Sequence, residues 1–105
     1  MTAGTDLIAA ERQRQIDTEG WTPEHDDAHT GFELISAAMA YCAAAEASSL
    51  GPEAAAATRA VIPGWWPWSQ EWWNPDVDPV RNLTKAGALI AAEIDRLIRA
   101  AGETA

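Results

Sequence analysis

Residues 78–102, "DPVRNLTKAGALIAAEIDRLIRAAG", constrain the fold more than any other part of the chain. Asp78 is placed as an N-cap, Pro79 stands at the first helical position, and Gly102 is placed as a stop. Between them Val80, Leu83, Gly87, Ile90, Ile94 and Leu97 recur at spacings of three and four, an apolar stripe sustained for about five turns. A stripe of this kind calls for other helices to cover it. No period-two alternation longer than a few residues offers a sheet instead. The expectation is an all-α fold, a small bundle of three to four helices with a long Trp/Pro-rich irregular connection before the last one. Gly87 costs about 1 kcal/mol against alanine in a helix interior, and close approach of another helix or a ligand would account for it.

The other helices are read from caps and spacing. The first is expected over about 6–19, with Thr5 as N-cap and Gly20 ending it in the left-handed conformation. Leu7, Ile8, Glu11, Gln15 and Ile16 give it a mixed side. "GWTPEHDDAHT" follows as a polar loop, in which Thr22 and Pro23 suggest a single capped turn. Thr30 and Glu33 have capping-box spacing, which opens a second helix over about 31–48 with Phe32, Ile35, Met39 and Cys42 at helical spacing. Pro52 opens a third, alanine-rich helix to about residue 60. The last is expected over 79–101, and residues 61–78 form the Trp-rich loop, where Ser69 is placed to cap one turn.

With 105 residues the chain is one domain. Large side chains are few, so the tryptophans, worth roughly 150–250 Å² each, contribute to the core as well as to any surface. All but one of the six tryptophans lie between Trp65 and Trp73, among prolines that exclude a long helix. Cys42 is the single cysteine, which rules out an internal disulfide, and its apolar helical run predicts a buried thiol. The net charge of −9 argues against direct binding of nucleic acid and leaves open a basic protein partner. No apolar run approaches a membrane span, and no signal peptide is apparent, so no membrane association and a cytoplasmic location are expected.

Three constellations bear on function. "EHDDAH" and the following Glu33 place His25, Asp26, His29 and Glu33 close in sequence, an alternative metal set if the helix ran through them. The bland alternative is an acidic loop at a helix N-terminus. Arg81 and Lys85 share one side at the start of the last helix, with Arg12 and Arg14 as expected neighbours, and this suits a phosphate or carboxylate. Their bland reading is neutralisation of Glu71, Asp76 and Asp78. Trp21, Trp65, Trp66, Trp68, Trp72 and Trp73 bring aromatic rings beside those cations, as stacking recognition of a nucleobase requires. Two or three of these rings are expected in the core, and the rest in a pocket or an oligomer interface.

The strings "ERQRQ" at 11–15, "EGW" at 19–21, "EHDDAH", "WPW", "WW" and "RNLTKAGALIAAEIDRL" resemble a group of small phage and prophage proteins of unassigned activity, over most of the chain from Glu11 to Leu97. The start and the last helix are also distantly similar to phage MazG-like proteins, all-α nucleoside triphosphate pyrophosphohydrolases. That resemblance implies Mg²⁺ held by carboxylates paired at i and i+3 on one helix and by a second acidic pair on another. Here Glu33 is followed by no acid until Glu46, and Glu93 and Asp95 are two apart, so they do not share a side.

The expected function is a non-catalytic binder of a small phosphate-containing or nucleotide-like molecule, through the six tryptophans with Arg12, Arg14, Arg81 and Lys85. It has no catalytic residues and no cofactor, and it acts as a homo-oligomer. In the phage setting that the resemblance implies, it would be a sponge for a nucleotide-type immune signal in the host cytoplasm. One alternative is a MazG-like, Mg-dependent pyrophosphohydrolase using the acidic loop and Glu33. Another is an acidic interaction module that inhibits a host protein.

Overall fold

The computed structural model describes residues 2–104, which form α1 (Ala3–Asp17), α2 (Pro23–Asp26), α3 (Glu33–Leu50), α4 (Pro52–Ala60) and α5 (Pro79–Thr104). A single 3-10 turn spans Gln70–Trp72, and no strand occurs among the described residues. The fold is an all-α bundle, as the last helix implied. At its centre α3 and α5 lie antiparallel. Asn82, near the start of α5, donates to Ser48 Oγ near the end of α3 at 3.2 Å, and at the other end Glu33 acts electrostatically on Arg96. Between the two helices Ala37, Ala40, Ala44, Ala86 and Ala92 are buried in one cluster, and such small side chains allow the axes to approach closely. Leu34, Tyr41, Leu89 and Trp73 are the large members of this core. The remaining helices surround the pair, α1 and α2 against α5 and α4 against α3.

The stripe expected to face the core lies outside it. Val80, Leu83, Ile90, Ile94 and Leu97 are each about half exposed. Phe32, Ile35, Met39 and Cys42 on the α3 side are exposed too, so the thiol is not buried. The reason is a second periodicity on α5. Asn82, Ala86, Leu89, Glu93 and Arg96 recur at four, three, four and three, and this side is the buried one. It is oriented by polar anchors that a hydrophobic pattern does not report. Asn82 is fully buried, and its amide accepts from the Asp76 backbone N–H at 2.7 Å and donates to the Asp76 carbonyl at 2.8 Å. One side chain thus ties the approach to α5 onto the end of α3. Arg96 donates to Glu93 at 2.6 and 3.0 Å, which neutralises the one carboxylate buried on this side.

Several helix ends differ from expectation. α1 begins earlier, because Thr2 rather than Thr5 accepts the capping N–H, from Thr5 at 3.4 Å. It stops at Asp17, and Gly20, at φ +75°, makes the left-handed turn that follows. Thr22 caps α2 as anticipated, accepting from His25 N–H at 3.3 Å. The Thr30–Glu33 capping box does not form. Phe32 takes the N-cap position at φ +70° without a side-chain cap, and the Glu33 carboxylate turns to His29 instead. Ser69 likewise precedes the 3-10 turn without a side-chain cap. α4 spans the expected residues. α5 starts as expected, with Asp78 Oδ1 accepting from Val80 N–H at 2.9 Å, but it runs through Gly102 to Thr104. Gly87 has the anticipated explanation. A Cβ there would lie 2.6 Å from Ile8 Cδ1, so α1 packs against α5 where a side chain is missing.

Candidate functional site

The prolines keep residues 61–78 out of long helices, and the segment folds back across α3 and α5 so that its tryptophans separate into distinct environments. Trp73 is buried, and its indole N–H donates to the Thr58 carbonyl at 3.1 Å, which satisfies its one polar atom. Trp21, Trp66 and Trp68 pack against the core while remaining partly exposed. Their rings form a chain of tilted and edge-to-face contacts: Trp21–Trp68 at 6.1 Å, Trp68–Trp66 at 5.5 Å and Trp66–Trp73 at 5.0 Å, ending on Tyr41 at 5.1 Å from Trp73. Trp65 and Trp72 are about half exposed, on different surfaces.

Two adjoining cavities open along this chain. One, of about 280 Å³, is walled by Trp21, His25, His29, Trp68 and Trp72. The other, of about 320 Å³, has Gln15, Trp66, Trp73 and Lys85 in its wall, and Trp21, Trp68 and Trp72 are shared by both. Each lies near the lower end of the range for small-molecule pockets, about 300–1,000 Å³.

The cations named from the sequence converge on this end of the molecule, and each has a partner within the chain. Arg12 pairs with the buried carboxylate of Asp26 and donates to the Trp21 carbonyl at 3.0 Å, which fixes the position of Trp21. Arg14 spans Glu11 and Glu19, both at 2.9 Å. Arg81 reaches the same Glu11 at 2.8 Å. Burial opposes ionisation of Glu11, but the bonds from Arg14 and Arg81 outweigh it and hold the pKa below the usual carboxylate value. The bond to Glu11 correspondingly raises the pKa of Arg14. Lys85 donates to the Asn74 carbonyl at 2.7 Å and stands 5.4 Å from the Tyr41 ring centre. Burial, with Arg81 nearby, lowers its pKa. Burial also pushes the Tyr41 phenol up, and its oxygen accepts from Asn74 N–H at 3.3 Å.

Neutralisation therefore happens inside the site, but Arg81 meets Glu11 and Lys85 the Asn74 carbonyl, in place of the Glu71, Asp76 and Asp78 expected for these two. Gln15 was not singled out for recognition. It is buried, its amide NH₂ donates to Glu11 at 3.4 Å, and its amide oxygen has no hydrogen-bond partner. The i, i+4 spacing of Glu11 and Gln15 on the mixed side of the first helix was the available signal.

The residues of the alternative metal set lie near one another but are engaged in other contacts. Asp26 is committed to Arg12, and His25 and His29 meet edge to face at 5.0 Å. His29 Nδ1 lies 3.2 Å from Glu33 Oε2, and its ring packs 5.3 Å from Trp68. Burial works against ionisation of Glu33, yet backbone N–H groups and the His29 bond hold its pKa low. Among the described residues no three His, Cys, Asp or Glu side chains come together as metal ligands. Among the described residues no helix is long and apolar enough to cross a membrane. The chain matches no known family model, no curated protein and no solved structure, so a functional reading rests on these residues themselves.

Proposed function

We propose that the protein is a non-catalytic binder of a small, flat, nucleotide-like molecule, held against the indole rings of Trp21, Trp68 and Trp72. One observation carries this reading: two ligand-sized cavities share those three rings as walls. A nucleobase stacked on such a ring gains about 1–3 kcal/mol irrespective of its identity. The internal pairing of Arg12, Arg14 and Arg81 assigns phosphates a minor part, because an incoming phosphate must compete with Glu11, Glu19 and Asp26. Lys85 is the cation in the cavity wall that is held by a backbone carbonyl rather than by a carboxylate. In the phage setting that the sequence resemblance implies, binding without turnover would sequester a nucleotide-type immune signal.

Isothermal titration with adenosine, AMP and ATP, with and without Mg²⁺, tests the proposal. The expected result is binding of all three within a few-fold of one another, with no turnover and about a ten-fold loss in Trp72→Ala. Absence of heat with every ring-bearing probe would overturn it. Pyrophosphate release from ATP that disappears in Glu33→Ala would replace it with the pyrophosphohydrolase reading.

A further inference from the structure

A large apolar groove lies away from the tryptophan cavities, between the outer sides of α3 and α5. It measures about 700 Å³ and is lined by Ile35, Met39, Trp65, Ile90, Ile94 and Leu97. Each of these side chains is between 40 % and 58 % exposed. Half-exposed side chains of this size present on the order of 100 Å² apiece, so the six approach the roughly 800 Å² per partner of a standard protein interface. A patch of that extent lies at the upper end of what monomeric proteins ordinarily leave in water, about 300–600 Å².

Two observations say what covers it. The first is charge. The chain carries −9 overall, yet the groove contains only Glu46 and Glu93 as charged groups, and Glu93 is neutralised by Arg96 at 2.6 Å. A two-fold axis places a patch against its own copy, which a nearly uncharged apolar face tolerates and a charged face does not. A basic partner would be steered to the acidic surfaces elsewhere. The second is the distribution of bulk. None of the isoleucines is buried within one chain, whereas the core between α3 and α5 is mostly alanine. Three of the seven isoleucines, Ile35, Ile90 and Ile94, line this groove, where a second copy would cover them.

We infer that the chain pairs with a second copy of itself about a two-fold axis through the α3/α5 groove. Ile35, Met39, Trp65, Ile90, Ile94 and Leu97 of both copies are buried there. The pairing is independent of the tryptophan cavities, since Trp65 is the one tryptophan in the groove and lines neither cavity.

Sedimentation of the full chain over a micromolar concentration series is the first test, and the expected species has twice the chain mass. Ile94→Glu points into solvent in one copy, so helical circular dichroism is retained while pairing weakens by about 30-fold or more. Leu50→Glu, at an exposed position outside the groove, leaves pairing at the wild-type level. Alkylation of Cys42, an exposed groove residue, requires no substitution, and its rate falls as the concentration passes through the association range. A monomer throughout the series overturns the inference. So does a dimer that survives Ile94→Glu, or one that leaves Cys42 as reactive as in the dilute chain.

Discussion

α5 turns Asn82, Ala86, Leu89, Glu93 and Arg96 toward the rest of the chain, and Leu83, Ile90, Ile94 and Leu97 away from it. The inner side is small and polar, the outer side large and apolar. Hydrophobic content alone would assign the two the other way round. The difference teaches that the side of a helix facing its own chain is the one whose groups find specific partners there. Apolar bulk without such partners is left for whatever else can cover it. Close alanine packing and one satisfied asparagine outweigh a stripe of isoleucines within a single copy.

Substitutions on the two sides put this contrast to the test. The largest effect is expected from Asn82→Ala, which strips hydrogen bonds from the Asp76 N–H, the Asp76 carbonyl and Ser48 at once. The loss is about 3 kcal/mol in urea denaturation. A loss below about 1 kcal/mol would mean that the polar anchor does not hold the inner side in place.

Glu11→Gln examines the α1 edge of the helix, where Arg81 and Arg14 converge on a buried carboxylate. At neutral pH it is expected to cost about 1–2 kcal/mol, kept modest because both arginines reach solvent. Its signature is in acid. The folded-state pKa of Glu11 lies below its ordinary value of 4.5, so its contribution is present above that value and disappears as the pH falls through the depressed pKa. Thermal midpoints followed from about pH 6 to about pH 3 should decline less steeply in the variant than in the wild type. Parallel curves would remove Glu11 from the acid response.

The smallest effect is expected on the outer side. Measured where the chain is monomeric, Ile90→Ala should change stability by less than about 0.5 kcal/mol. A loss of about 2 kcal/mol or more would show Ile90 packed as core and would collapse the distinction between the two sides.

The sequence conveyed class and punctuation better than orientation. The Asp78–Pro79 start, the Pro52 start of α4, the capped turn at Thr22 and the close approach at Gly87 were all legible, because each depends on local backbone chemistry. The α3 entry was misread because Phe32 adopts a left-handed conformation that its side chain does not advertise, and Thr30 is left out of the cap. The direction of the α5 stripe was misread for a different reason. Period reports which residues share a side, while the side that is covered depends on partners distant in sequence, such as Ser48 and Asp76 for Asn82. The candidate site was legible as composition, tryptophans beside cations, but the pairing of those cations with Glu11, Glu19 and Asp26 required the third dimension.

The dispersal of the tryptophan segment also turns the protein into its own instrument. Within nine residues the chain sets one indole in the outer groove, one at the cavity mouth and one in the core, at Trp65, Trp72 and Trp73. A single-tryptophan emission experiment, with the other indoles replaced by phenylalanine, would therefore read three separate events from one segment. Trp65 would report assembly by a blue shift on dilution reversal, Trp72 would report ligand by quenching, and the buried Trp73 would report global unfolding. The coupling of Trp66 and Trp73 at 5.0 Å adds a near-ultraviolet dichroism signal from the packed aromatic chain.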